Sequence, residues 1–420
     1  MIKAITGTKD ILPGDIPKWR YIENLVRSIL EEFNYNEIRT PIFEETRLFA
    51  RGIGEETDIV SKEMYTFEDR GGMSLTLKPE MTAAVVRALI EHSLHKKSQL
   101  NKLFYISPMF RQERPQAGRL RQFHQFGAEA IGSNDPYLDA EMIVIAHDIL
   151  KEIGLKNLTV VINTLGIPSE RESYKNELKN YLKNHYDRLS SESKKRYETN
   201  ILRIFDSKEE QDIEIMKNAP LLIDSLGKES IEHFDIVKNA LDKLGVKYEI
   251  EPKLVRGLDY YTHTTFEIVS GSVGSQSALC GGGRYNGLVA QLGGDDLPGV
   301  GFAAGIERIL LACENENILN VPDDKIDVYV ALLDKNLNED SFILTTRLRQ
   351  KGLKAERDYL SRSVKAQMRE ANKLNASYVL FFGGEEYKDK KAVLKNMESG
   401  EQTDISIDDI ESVVEKIKRG

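Results

Sequence analysis

The run KLFYISPMF-RQERPQAGRLR-QFHQFGAEAI, residues 102–131, holds two strand patterns, 102–110 and 122–131, separated by a charged loop from Arg111 to Arg121. The loop contains Pro115 and Gly118. Two such runs close together predict an antiparallel hairpin with a long tip. On the second strand Gln125 and Glu129 are four residues apart, and even spacing puts them on one face. Two polar side chains on one face of an otherwise apolar strand need partners or a ligand. Where the first strand meets the loop, Phe110-Arg111-Gln112-Glu113 sets a guanidinium beside acceptor groups. Arginine suits phosphate because its planar fork donates two hydrogen bonds at once and stays charged.

Outward from the hairpin, residues 17–33 read as an amphipathic helix, with Trp19, Ile22, Leu25, Val26, Ile29, Leu30 and Phe33 on one stripe. Residues 37–44 alternate like a strand, and Pro41 suits an edge or an interface. Glu80 follows Lys78-Pro79 and precedes Thr82 at a helix start, so helix capping is one reading of both. Residues 138–153 read as a helix and 158–163 as a strand, whereas about 169–225 is charged, Tyr-rich and mostly helical, like an insertion. Strand patterns return over 248–269 and 278–280, and Gly281-Gly282-Gly283 reads as a turn. Within them, residues 254–267 carry Arg256, Asp259, Tyr260 and Tyr261. A pocket for an anion and a planar ring would use these groups, and so would an Arg256–Asp259 pair buried in a core. That segment alone leaves both readings open.

Further on, Gly305-Ile306-Glu307-Arg308 opens an apolar helix. With Arg111 and Arg256, Arg308 would give three guanidiniums on separate elements, enough to grip a triphosphate. A surface salt bridge is the alternative for each one singly. A polar stretch at 315–322 reads as a linker. The tail alternates strand and helix: 326–333, 338–350, 354–358, 363–374, 378–382, 392–397 and 407–417, the mark of a small α/β domain.

At 420 residues the chain calls for two or three domains. A net charge of −9 argues against bulk nucleic-acid binding. Residues 345–375 nevertheless carry a local excess of six positive charges, a solvated face or a polyanion contact. No apolar run approaches the roughly 20 residues of a membrane span. The start lacks an apolar signal core, and Cys280 and Cys313 form no CxxC pair, so a cytoplasmic location is expected. No P-loop occurs, and Gly299-Val300-Gly301-Phe302-Ala303-Ala304 follows a loop rather than a strand, so a Rossmann reading fails on context. The histidines form no HExxH; His92 and His95 read as helix-surface residues, and no metal ligand is assigned.

Taken in order, Arg39-Thr40-Pro41-Ile42-Phe43-Glu44, then Phe110-Arg111-Gln112-Glu113 with Phe123-His124-Gln125-Phe126-Gly127-Ala128-Glu129, then Gly301-Phe302-Ala303-Ala304-Gly305-Ile306-Glu307-Arg308 resemble the three motifs of the class II aminoacyl-tRNA synthetases. Residues 254–267, Ala278-Leu279-Cys280-Gly281-Gly282-Gly283-Arg284-Tyr285 and Gly7-Thr8-Lys9-Asp10-Ile11-Leu12-Pro13 are similar to the sharper motifs of the bacterial-type histidyl-tRNA synthetase family. The resemblance spans nearly the whole chain. It implies a mixed α/β chain: an α+β catalytic domain over 1–325, an antiparallel sheet flanked by helices with the helical insertion, and an α/β anticodon-binding domain over 326–420.

The resemblance also implies residue roles. Arg111 would hold the α-phosphate of ATP, Arg308 the γ-phosphate and Glu113 the adenine side, with magnesium on the outer phosphates. Arg256 would sit at the reacting carboxylate and α-phosphate. Glu80, Thr82 and Gln125 would take the α-amino group of L-histidine. Glu129 and Tyr261 would bracket the imidazole nitrogens, and Tyr260 and Tyr285 would line the pocket. Arg114 and Gln116 would meet the acceptor end of tRNA(His), and the basic window the anticodon arm. A homodimer without membrane attachment is implied. Two departures stand out: Met81 occupies a position where the family often has Gly, and Thr265 one where Val is common. A non-catalytic relative that regulates ATP phosphoribosyltransferase is the alternative. Such proteins usually lack the tail that this chain has.

Overall fold

Strands Asn101–Phe110 and Gln122–Ile131 pair antiparallel, from Asn101 opposite Ile131 to Phe110 opposite Gln122. The computed structural model describes residues 2–54, 57, 59–255, 257–276, 278–319 and 325–419. The chain divides into two compact units, Met1–Asn320 and Val321–Gly420.

In the first unit the hairpin lies in an eight-stranded sheet. Across it run Asn36–Glu37, Asn101–Phe110, Gln122–Ile131, Gly299–Gly305, Ala278–Arg284, Thr262–Ser270, Leu158–Thr164 and Tyr248–Ile250. The five inner pairings are antiparallel, and only the two outermost are parallel. Pro108 is accommodated because Asn36–Glu37 pairs only with Leu103 and Phe104, which leaves the rest of that strand at the edge.

One face of the sheet packs on helices Ile16–Glu32, Pro136–Glu152, Lys228–Lys243 and Ile306–Glu316. Ile16–Glu32 buries the predicted stripe through Trp19, Ile22, Val26, Ile29 and Leu30. They meet Ile143, Ile149, Phe126, Phe302 and Phe266 in one core, at about 1.5–3 kcal/mol for each large side chain taken out of water. Asp135 caps Pro136–Glu152 by accepting from the Tyr137 N–H at 3.0 Å. The stretch 169–225 is helical, with Pro168–Lys183, Ser191–Thr199 and Glu210–Met216 as its α-helices.

Several expected elements differ. Residues 37–44 do not form one strand: Asn36–Glu37 joins the large sheet, and Phe43–Glu45 a separate three-stranded sheet with Ser74–Leu77 and Tyr65–Glu68. Pro41 lacks an N–H and restricts Thr40, so the ladder breaks there. Residues 248–269 divide into Tyr248–Ile250 and Thr262–Ser270, and 257–260 lie in bends and turns. The three glycines at 281–283 are not a turn. They run inside strand Ala278–Arg284, where a Cβ on Gly282 would collide with the Gly301 carbonyl. Gly299–Gly305 is likewise a strand, antiparallel to both neighbours, which excludes a dinucleotide-binding turn. The polar stretch from 315 begins within helix Ile306–Glu316.

The second unit is a five-stranded sheet ordered Ala355–Arg357, Val328–Leu332, Tyr378–Phe382, Lys391–Asn396 and Gln402–Ser406. Its first three strands are parallel and the last two antiparallel. Asn338–Gln350, Val364–Lys373 and Ile410–Arg419 are its α-helices.

Candidate active site

Period-two alternation in Gln122–Ile131 separates a packing face from a polar one. Phe126, Ala128 and Ala130 point into the helix-packed core, while Gln125, Gly127 and Glu129 lie on the opposite face. Above that face opens a cavity of about 430 Å³. Glycines make room for it. A Cβ on Gly301 would strike the Glu129 carboxylate, one on Gly127 the Tyr105 phenol, and one on Gly299 the Tyr285 ring. A floor of small residues thus lets large polar side chains lie flat across the sheet.

The deep end holds two buried carboxylates. Glu129 accepts from the Thr82 hydroxyl at 2.7 Å and from the Tyr285 hydroxyl at 2.6 Å. Glu80 accepts from the backbone N–H groups of Thr82 at 2.7 Å and Ala83 at 3.0 Å. The capping reading of Glu80 therefore holds, since its carboxylate closes the N-terminus of helix Thr82–Glu91. Thr82 instead spends its hydroxyl on Glu129. Burial pushes the Glu129 carboxyl up to about 8; the Tyr285 and Thr82 hydroxyls oppose the rise and the Glu80 charge adds to it. Glu80 is also raised, by burial first, with its two backbone donors and the Arg111 charge pulling it back. Tyr260, Tyr261 and Tyr285 form the wall: ring centroids lie 4.8 Å apart for the first two and 5.8 Å for Tyr260 and Tyr285. Burial raises Tyr260 and Tyr285 well above an ordinary phenol, so both stay neutral donors. Among the described residues, the Tyr105 hydroxyl and the Gln125 Oε1 are buried without a hydrogen-bond partner, and both residues line the cavity.

Arginines line the same cavity. Arg111 donates Nε to the Pro79 carbonyl at 3.0 Å and stacks 5.3 Å from the Phe123 ring centroid. Arg308 donates Nε to the Gly118 carbonyl at 3.0 Å and Nη1 to the Ala278 carbonyl at 2.9 Å. Each guanidinium is thus fixed by backbone oxygens within the cavity lining. Glu113 pairs with Arg119 at 3.0 Å. Such a cavity suits a small polar ring at its buried acceptors and a polyanion at its arginines.

Nine of the anticipated residues line this cavity: Glu80, Thr82, Arg111, Glu113, Gln125, Tyr260, Tyr261, Tyr285 and Arg308. Glu129 sits behind, tied to two of them. Arg256 lies outside the described residues, although Gly257 and Leu258 line the cavity. Arg114 and Gln116 are exposed and border a separate open cleft that shares Glu113 with the cavity. Met81 is unstrained at φ −111°, so its position does not demand glycine here. Sequence reasoning missed Tyr105, Phe123, Glu267 and Glu307. Tyr105 was hidden in a strand apolar on both faces. Glu307, adjacent to Arg308, accepts from the His124 N–H at 2.9 Å and pins the hairpin to helix Ile306–Glu316.

Comparison with known proteins follows the same outline. The family profile described as histidyl-tRNA synthetase matches residues 7–309, and that described as anticodon binding domain matches residues 327–417. A curated histidine–tRNA ligase of Halothermothrix orenii is 51% identical over 416 residues, covering 99% of each chain. One from Caldanaerobacter subterraneus subsp. tengcongensis is 50% identical, again over 99% of each. The crystal structure of apo histidyl-tRNA synthetase from S. aureus superposes with a TM-score of 0.84 at 41% identity, covering 100% of both chains.

Proposed function

The chain belongs to the histidyl-tRNA synthetase family, and from that premise we propose that it activates L-histidine with ATP and transfers the histidyl group to the 3′ end of tRNA(His). The observation that carries this reading is the lining of one cavity, which brings a buried carboxylate and tyrosines together with two arginines anchored by backbone oxygens. The regulatory alternative is not favoured, because the curated relatives named ligases match at about half identity along the full chain.

In the first step a histidine carboxylate oxygen attacks the α-phosphorus of ATP, and the bond to the bridging oxygen of pyrophosphate breaks. Histidyl-adenylate forms and pyrophosphate leaves. In the second step the terminal ribose hydroxyl of tRNA attacks the acyl carbon and AMP departs. Two anions meet in the first step, so positioning and charge stabilisation are the main tasks. Arg111 takes the α-phosphate, Arg308 the γ-phosphate and Glu113 the adenine side. Arg256 bridges the reacting carboxylate and the α-phosphate. Glu80, Thr82 and Gln125 bind the α-amino group, with the free Gln125 Oε1 supporting that role. Glu129 and Tyr261 meet the two imidazole nitrogens between Tyr260 and Tyr285. An analogue lacking either nitrogen leaves a buried group unpaired, and discrimination of about 10⁴ follows without editing.

Magnesium bound together with ATP would neutralise charge on the outer phosphates. Glu267 is a cavity carboxylate that would suit it, since this ion is usually held by one or two carboxylates together with phosphate oxygens. Arg114 and Gln116 face the acceptor end. In the second unit a cleft of about 490 Å³ lined by Phe342, Arg357 and Tyr359 receives the anticodon, a reading supported by exposed Tyr359 and Leu360 amid the basic window. The chain acts as a homodimer. Exposed Phe43, just after Pro41 in sequence, packs edge to face on exposed Phe67, and this apolar pair supports that. It works in the cytoplasm; among the described residues no helix is long and apolar enough to cross a membrane, and both cysteines are free. Amino-acid-dependent ATP–pyrophosphate exchange tests the activation step. Exchange is expected with histidine alone, and exchange with proline or threonine instead, or with none of the twenty, would overturn it.

A further inference from the structure

We propose that the helical insertion positions the tyrosine wall of the histidine pocket, with Arg171 and Asn200 as the positioning residues. This rests on the proposed assignment of that pocket to histidine. Residues 257–261, which carry Tyr260 and Tyr261, have no strand ladder; the strand begins only at Thr262. Their conformation therefore depends on ties from outside.

Two ties come from the insertion. Arg171, on helix Pro168–Lys183, donates Nη1 to the Tyr261 carbonyl. Asn200, which closes helix Ser191–Thr199, donates Nδ2 to Asp259 Oδ1 at 2.9 Å. On the opposite side the Asp259 N–H donates to the Ile53 carbonyl at 3.2 Å, and Gly54 leaves room for the Asp259 carboxylate. The stretch is thus held between the end of helix Thr46–Ile53 and two insertion helices.

Charge follows the same division. Burial raises the Asp259 carboxyl, and Asn200, Arg203, Lys175 and Arg171, the groups that pull it back down, all belong to the insertion. Arg171 is itself desolvated, which lowers its pKa. Sinking a guanidinium is costly unless it is hydrogen-bonded, so its bond to the Tyr261 carbonyl matters to both partners. Of the arginines assigned to phosphates, Arg111 and Arg308 stand elsewhere, Arg111 beside Phe123 and Arg308 on helix Ile306–Glu316. Loosening the insertion ties should release the histidine wall and leave the Arg111 and Arg308 contacts to ATP intact.

The test uses the full chain as Arg171→Met and Asn200→Ala, with Arg171→Lys as a rescue that keeps a donor. In ligand-free protein, amide hydrogen exchange over 257–263 is expected to accelerate by about tenfold in the first two variants, the scale of one lost hydrogen bond, while 122–131 stays protected. In pyrophosphate exchange the KM for histidine should rise by about tenfold and that for ATP stay within about twofold, with Arg171→Lys restoring most of the loss. Unchanged amide exchange over 257–263, or an equal rise in both KM values, overturns the proposal. Amide exchange reads these ties whatever the substrate is, so a wild-type chain inactive with histidine would count against the proposed function alone.

Discussion

Glu129 shows how one residue sets both affinity and cost. The residue is 1% exposed and its carboxylate is held by two hydroxyls, yet burial still raises its pKa to about 8. A carboxyl raised in the folded state binds its proton more tightly there than in the unfolded chain. Its favourable contribution is complete below the ordinary carboxylate range and is lost as pH climbs through about 8. Unfolding of the ligand-free chain followed from pH 5 to 9 should therefore show stability declining with pH, and Glu129→Gln should flatten part of that slope. An identical slope in the variant would contradict the burial argument. Even spacing on a strand is enough to put Gln125 and Glu129 on one face from sequence alone. The tie between Asp259 and Asn200 is not legible in the same way: the two lie 59 positions apart, and no local pattern encodes such a bond.

Among the elements, glycine-rich strands are where sequence and structure part company. Gly281-Gly282-Gly283 and Gly299–Gly305 look like turns or loops by composition, because glycine usually supplies positive φ. Here most of them are needed for space. Gly301 faces Glu129 across the ladder, and a Cβ there would run into the carboxylate and the Ala128 carbonyl. Gly301→Ala should cost about 1–3 kcal/mol of stability by overpacking, measured by urea unfolding. Gly14→Ala, where nothing lies within 4 Å of an added Cβ, should change it by less than about 0.5 kcal/mol. Equal stabilities for the two variants would mean that the floor yields and that the glycines have another purpose. Alternation of Val300, Phe302 and Ala304 was the available clue to this strand, weakened because their neighbours are glycine or alanine. Strand Gln402–Ser406 escaped for the opposite reason: an edge strand whose one buried residue is Ile405 carries little hydrophobic pattern.

At the scale of the molecule, the cavity lies in the first unit and a cleft lined by Phe342, Arg357 and Tyr359 in the second. The long-period pattern was readable, because a hairpin, an apolar-striped helix and a strand–helix tail each repeat over many residues. What joins them into a site was less so, since Arg111, Arg308, Glu80 and Tyr285 meet only through sheet order. The complete reaction tests both units at once. Intact chain, ATP, magnesium and labelled amino acids should be incubated with tRNA(His), and the ester-linked label counted. Labelled histidine should accumulate on tRNA(His) and depend on ATP; histidine-dependent pyrophosphate exchange without any transfer to tRNA(His), or transfer of a different amino acid, would contradict it.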